Sequence, residues 1–190
     1  MRGRANHSAM ANGFVGAVAL LVYFGLVAVS PVVALVTWAL STRTDYFGDA
    51  LGTVVAGSVG LVAAVAVALA VFVDPGAGLT VAGVAVGAAL VLAVFPVVIG
   101  RQLLGRWTLL DADEALEYAT LGWPVTMVLS VVLFVAPGGL ARYNVLFLEG
   151  LAAVVAWMTL ALVVTLGPAL SGLALYNVVE RFVRSGSGLR

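Results

Sequence analysis

Residues Gly13 to Leu40 are 28 consecutive positions without a charged side chain, and longer or similar uncharged blocks recur along the remaining chain of 190 residues. At a rise of 1.5 Å per residue the first block would be a helix about 42 Å long, more than enough to cross a hydrocarbon core of about 30 Å. A secretory signal has an apolar region of only about 7–15 residues, so the block is too long for one. Composition agrees: 63% of residues are hydrophobic, 9% are charged, and the mean hydropathy is +1.17. Soluble domains are roughly 45–50% apolar and about 25% charged. With so little polar surface, the chain must use lipid as its solvent. It is an integral membrane protein by composition.

The residue inventory excludes most catalytic chemistry. Nine basic residues balance nine acidic ones, so no global field attracts nucleic acid. All nine basic residues are Arg, which removes Schiff-base chemistry and a P-loop lysine. There is no Cys, hence no disulfide, thiolate nucleophile or cysteine metal site. The one His, His7, lies in the polar N-terminal tail, so neither an HExxH site nor a Ser-His-Asp triad can form within the chain. The expectation is a non-enzyme with no cofactor and no metal.

Hydropathy and turn chemistry divide the chain. Residues 1–12 read as a polar tail and 13–183 as a single transmembrane helical domain. Its spans fall at about 13–40, 51–73, 79–100, 120–136 and 145–167. Asp74-Pro75-Gly76-Ala77-Gly78 is a tight turn, because Pro fixes φ and the glycines accept positive φ, so the second and third spans form an antiparallel hairpin. In 111–119, Ala112, Ala115, Leu116 and Ala119 recur at helical spacing opposite Asp111, Glu114 and Glu117. Asp111 and Glu114 also have capping-box spacing. That pattern predicts a short interfacial helix. Gly167-Pro168 is the natural break in the last apolar block, leaving 169–183 as a helical extension and 184–190 as a flexible tail. Five spans result, or six if the block folds back at Pro168. Pro31, Pro96, Pro124 and Pro168 are candidate hinges or kinks.

Arginine placement sets the expected orientation. With the N-terminus outside, the cytoplasmic side carries Arg43, Arg101, Arg106, Arg181, Arg184 and Arg190, against Arg2, Arg4 and Arg142 outside. The N-out, C-in arrangement follows, in the cell membrane.

Two features carry the functional expectations. Gly52, Ala56, Gly60, Ala64 and Ala68 form a four-residue repeat on the second span, and Gly83 and Gly87 form a GxxxG pair on the third. Small residues let helix backbones approach in lipid, where little hydrophobic force acts between helices. Gly52, Gly60, Gly83 and Gly87 are therefore candidate packing residues, either within the hairpin or in self-association. Glu149 is the one carboxylate close to mid-membrane, either as an ion or proton relay or as a hydrated group at the headgroup level. The acidic group Asp111, Asp113, Glu114 and Glu117 reads as the charged face of a surface helix.

The Val/Ala-rich spans such as LGTVVAGSVGLVAAVAVALAVFVDPGAGL, the use of Arg without Lys, and loops such as STRTDYFGDA give the whole chain a recognisable texture. In this it resembles the small, functionally unassigned multi-pass membrane proteins of haloarchaea. The resemblance implies a cell-membrane location and brings no functional residues. Taken together, the expectation is an all-α, polytopic integral membrane helix bundle of about five transmembrane helices plus one interfacial helix. Its partners are the bilayer and other membrane subunits or a second copy, with no nucleic acid. It would serve as a non-catalytic scaffold or subunit; the alternative is a small-solute or ion transporter or channel using Glu149.

Overall fold

The structure, a computed structural model, describes residues 2–135 and 150–187. Among them the chain is all-α: α1 (Arg2–Ser41), α2 (Phe47–Phe72), α3 (Pro75–Ala89), a π-helical segment (Leu90–Val94), α4 (Phe95–Trp107), α5 (Ala112–Val135) and α6 (Gly150–Ser187). Five helical stretches among the described residues are long and apolar enough to cross a membrane: Ala17–Ser41, Phe47–Phe72, Pro75–Trp107, Ala112–Leu133 and Trp157–Phe182. The third is the continuous run of α3, the π-helical segment and α4. In lipid every backbone N–H and C=O must be satisfied internally, which is why uncharged blocks of this length become helices.

Short connections force neighbouring spans to run antiparallel. Residues 42–46 join α1 to α2, 73–74 join α2 to α3, and 108–111 join α4 to α5. Local chemistry makes each start. The Asp74 side chain accepts from Ala77 N–H at 3.0 Å and Pro75 occupies the first turn of α3. Asp111 Oδ1 accepts from the N–H groups of Asp113 and Glu114 at 2.8 and 2.9 Å, while Glu114 Oε2 accepts from Asp111 N–H at 3.4 Å. The predicted capping box is formed.

The core lies along α5. Ala115, Ala119, Trp123 and Met127, four residues apart, bury one stripe against Val97 and Leu104 of α4, with Leu173 of α6 and Tyr23, Leu26, Val27 and Val33 of α1 around them. The hairpin contributes little to it. The only buried residues of α2 are Phe47 and Ala50, and the only one of α3 is Gly78.

Several sequence boundaries move. The helix expected at 111–119 forms, but as the first two turns of α5 rather than as a separate interfacial element, because its Ala115–Ala119 stripe continues directly into Trp123 and Met127. The break expected at Gly167-Pro168 is absent: α6 runs through it, and 169–183 is part of the last span rather than an extension leaving the bundle. Proline removes one intrahelical bond, whereas ending a helix leaves about four N–H or four C=O groups unmade, so in lipid continuation costs less. Residues 2–12, expected as a tail, continue α1, and 184–187 continue α6. Of the four candidate hinges, Pro31, Pro124 and Pro168 sit inside unbroken helices, and Pro96 alone coincides with a change of helix type.

Candidate functional site

The acidic group at the start of α5 is largely engaged in holding helices together. Asp113 accepts from the N–H groups of Phe47 at 2.6 Å and Gly48 at 2.9 Å, so it caps α2 from another helix, at a start where Tyr46 supplies no side-chain cap. Arg101 Nε donates to the Ala112 carbonyl at 3.0 Å, tying α4 to the same end. The expectation of a merely solvated acidic face is therefore corrected for Asp113. No group of three or more His, Cys, Asp or Glu among the described residues could hold a metal ion.

Within the bundle, side-chain donors serve two of the carbonyls that prolines leave free. Each internal proline lacks the N–H that would bond the carbonyl four residues earlier. For Pro31 that carbonyl belongs to Val27, and Ser30 Oγ donates to it at 3.0 Å. For Pro96 it belongs to Leu92, and Trp123 Nε1 donates to it at 2.7 Å across from α5. For Pro124 it belongs to Thr120, whose own Oγ1 is buried without a partner among the described residues. Tyr23 and Ser130 join α1 to α5 through a 2.7 Å hydroxyl pair, and Ser130 Oγ also donates to the Met127 carbonyl at 2.7 Å.

The glycines separate into two sets. A Cβ placed at Gly52, Gly60, Gly83 or Gly87 would meet nothing within 4 Å. The expected intrachain packing at these four positions is thus corrected: among the described residues, nothing lies against them. The hairpin instead closes at Gly78, where a Cβ would lie 2.5 Å from the Ala66 carbonyl oxygen and 2.7 Å from the Ala70 Cβ. The tightest crossing is between α5 and α6. A Cβ on Gly122 would be 2.6 Å from both the Gly172 nitrogen and the Pro168 carbonyl oxygen, and one on Gly172 would be 2.6 Å from the Tyr118 carbonyl oxygen. Gly167 meets Thr126 in the same seam, and Gly100 brings α4 against Ala119 and Pro168 at 3.2 Å.

Sequence reasoning missed Gly100, Gly122, Gly167 and Gly172. Their signal is a clustering of glycine with proline and threonine, as in TLGPALSG and TLGWP, which the sequence pattern offers as a break at Gly167-Pro168 and a kink at Pro124. Trp123 is 5% exposed and Trp157 46%. Glu149, the candidate relay, lies outside the described residues, as does the Arg142 loop. Among known proteins, no family model, no curated sequence and no solved structure matches this chain.

Proposed function

We propose that the protein is a non-catalytic membrane scaffold or subunit, whose α2–α3 hairpin packs against other membrane chains. The observation that supports this reading is the division of labour among glycines. Gly100, Gly122, Gly167 and Gly172 of α4–α6 are engaged in contacts between helices, while Gly52, Gly60, Gly83 and Gly87 leave backbone uncovered on helices with almost no buried residues. Uncovered small residues in lipid permit close approach by another helix. The lack of Lys and Cys, and a His confined to residue 7, support the non-catalytic part of the reading.

The test separates folding from association. In the full chain, Gly83→Leu with Gly87→Leu should leave the thermal midpoint in detergent unchanged while abolishing the higher-mass species that cross-linking of native membranes should give for the parent. A cross-linking pattern identical to that of the parent would remove the hairpin as an assembly face. Cation or proton flux in vesicles of the purified protein, lost in Glu149→Gln, would overturn the reading in favour of transport.

The same reading places the chain in the cell membrane with the N-terminus outside, supported by the six-to-three division of arginines. In intact cells, a cysteine replacing Ser8 should react with an impermeant thiol reagent, and cysteines replacing Ser41 or Ser187 should not. The opposite labelling would reverse the orientation.

A further inference from the structure

The third span changes helix type at its middle. Leu90–Val94 is π-helical, wedged between α3 and α4, and Pro96 follows at the start of α4. π-bulges and prolines are the usual places where helices bend sharply. The two sides of this point have different attachments. Beyond it, α4 buries Pro96, Val97, Gly100 and Leu104 in the bundle. Before it, α3 buries only Gly78, against α2, and otherwise lies along α1 with its residues no more than half-buried.

One interhelical hydrogen bond spans the bend. The Leu92 carbonyl, to which residue 96 would donate in an unbroken α-helix and Pro96 cannot, accepts from Trp123 Nε1 at 2.7 Å. The indole is 5% exposed and belongs to the central stripe of α5. In contrast, the carbonyl facing Pro31 is served by Ser30 within the same helix, a contact that links nothing beyond α1. In hydrocarbon an unserved carbonyl has no water to turn to, so the Leu92–Trp123 bond is the element that makes one bend angle preferred.

We propose that residues 90–96 are a hinge and that Trp123 is its latch, a positioning residue that fixes the α2–α3 hairpin relative to the α4–α6 body. The hinge concerns how the hairpin is held, independently of what it meets. With the latch open, the hairpin tip at Val73–Pro75 moves while the end of α2 held by Asp113 stays in place. α3 has 15 residues, so the lever is about 22 Å long, and a change of about 20° displaces the tip by about 8 Å.

The chain has no native cysteine, so two introduced ones can be labelled cleanly. Spin labels at Val73→Cys and Met158→Cys, both on exposed positions, report the distance between the hairpin tip and α6 in lipid nanodiscs. Trp123→Phe keeps an aromatic six-membered ring but loses the pyrrole half of the indole with its N–H; its distance distribution should broaden or shift by about 8 Å. Pro96→Ala returns an N–H to the Leu92 carbonyl, so the double variant W123F/P96A should recover the narrow parent distribution. A Trp123→Phe distribution as narrow as the parent's overturns the latch. So does a double variant as broad as Trp123→Phe alone, because the indole would then act by packing only. Should Trp123→Phe not fold, the indole ¹H–¹⁵N resonance of Trp123 gives an independent reading. It should shift upon Pro96→Ala if the N–H is released from Leu92, and an unmoved resonance overturns the proposal.

Discussion

The α2–α3 hairpin and the α4–α6 body are both rich in small residues, yet only the body uses them for tight contact among its helices beyond a single point. On α2 the small residues recur every four positions, the spacing associated with helix pairing, and among the described residues a Cβ on Gly52 or Gly60 would meet nothing. In the body the spacing is irregular, and Gly100, Gly122, Gly167 and Gly172 all meet atoms of a neighbouring helix. Spacing supplies a smooth surface; it does not supply a partner. In the body the partner is a complementary surface, the α6 backbone at Pro168 and Gly172 lying against Gly122. Within the hairpin, contact is tight near the turn, at Gly78, and the GxxxG pair further along is left exposed.

The sharpest way to break this contrast is Gly122→Ala. Its new methyl group would collide with backbone atoms of α6, which cannot move aside as a flexible side chain can. Overpacking of this kind costs about 1–3 kcal/mol, and the thermal midpoint in detergent should fall accordingly. A midpoint equal to the parent's would mean that α5 and α6 do not cross so closely. Next in size is Asp113→Ala, which leaves the Phe47 and Gly48 N–H groups at the start of α2 uncapped. A lost cap is worth about 1 kcal/mol, and amide exchange should quicken at 47–49 while α6 is unaffected. Exchange unchanged at those positions would show that α2 needs no anchor from α5.

Tyr23→Phe deletes the hydroxyl pair with Ser130, the side-chain bond between α1 and α5. Hydrogen bonds between membrane helices average about 0.6 kcal/mol, and Ser130 keeps its bond to the Met127 carbonyl, so the midpoint should drop only slightly. A loss several times larger would make α1 part of the body rather than an outer helix. The smallest effect belongs to Gly87→Ala, where nothing obstructs a methyl group and a helical glycine is replaced by a better helix former. The change should be neutral or stabilising by up to about 1 kcal/mol. A clear destabilisation in detergent would return Gly87 to the interior of the fold and erase the contrast with Gly122.

How much of this was legible in advance depended on range along the chain. The capping box at Asp111 and Glu114, the Asp74 cap with Pro75 behind it, and the hairpin turn all involve groups within four residues of each other, and each is formed as the pattern implied. The candidate packing residues fared differently, because Gly83 and Gly87 satisfy a local motif whose meaning depends on a distant helix. The bond from Trp123 to Leu92 joins groups 31 residues apart, the Asp113 cap 65 and 66, and the Tyr23–Ser130 pair 107. No periodicity along one segment records such pairings.

The sequence by itself determined that the chain is an all-α bundle with stretches able to cross a membrane five times, and where its short turns and caps lie. Hydropathy and capping act through solvent and through neighbouring peptide groups, so their outcome is written in contiguous residues. Only the tertiary structure decided that α5 and α6 run unbroken through Pro124 and Pro168, that Trp123 is central and Trp157 peripheral, and which glycines meet another helix. Those outcomes turn on shape between helices. In lipid, packing and backbone satisfaction are won only when two surfaces fit, and a proline or glycine acquires its role from what lies across the seam.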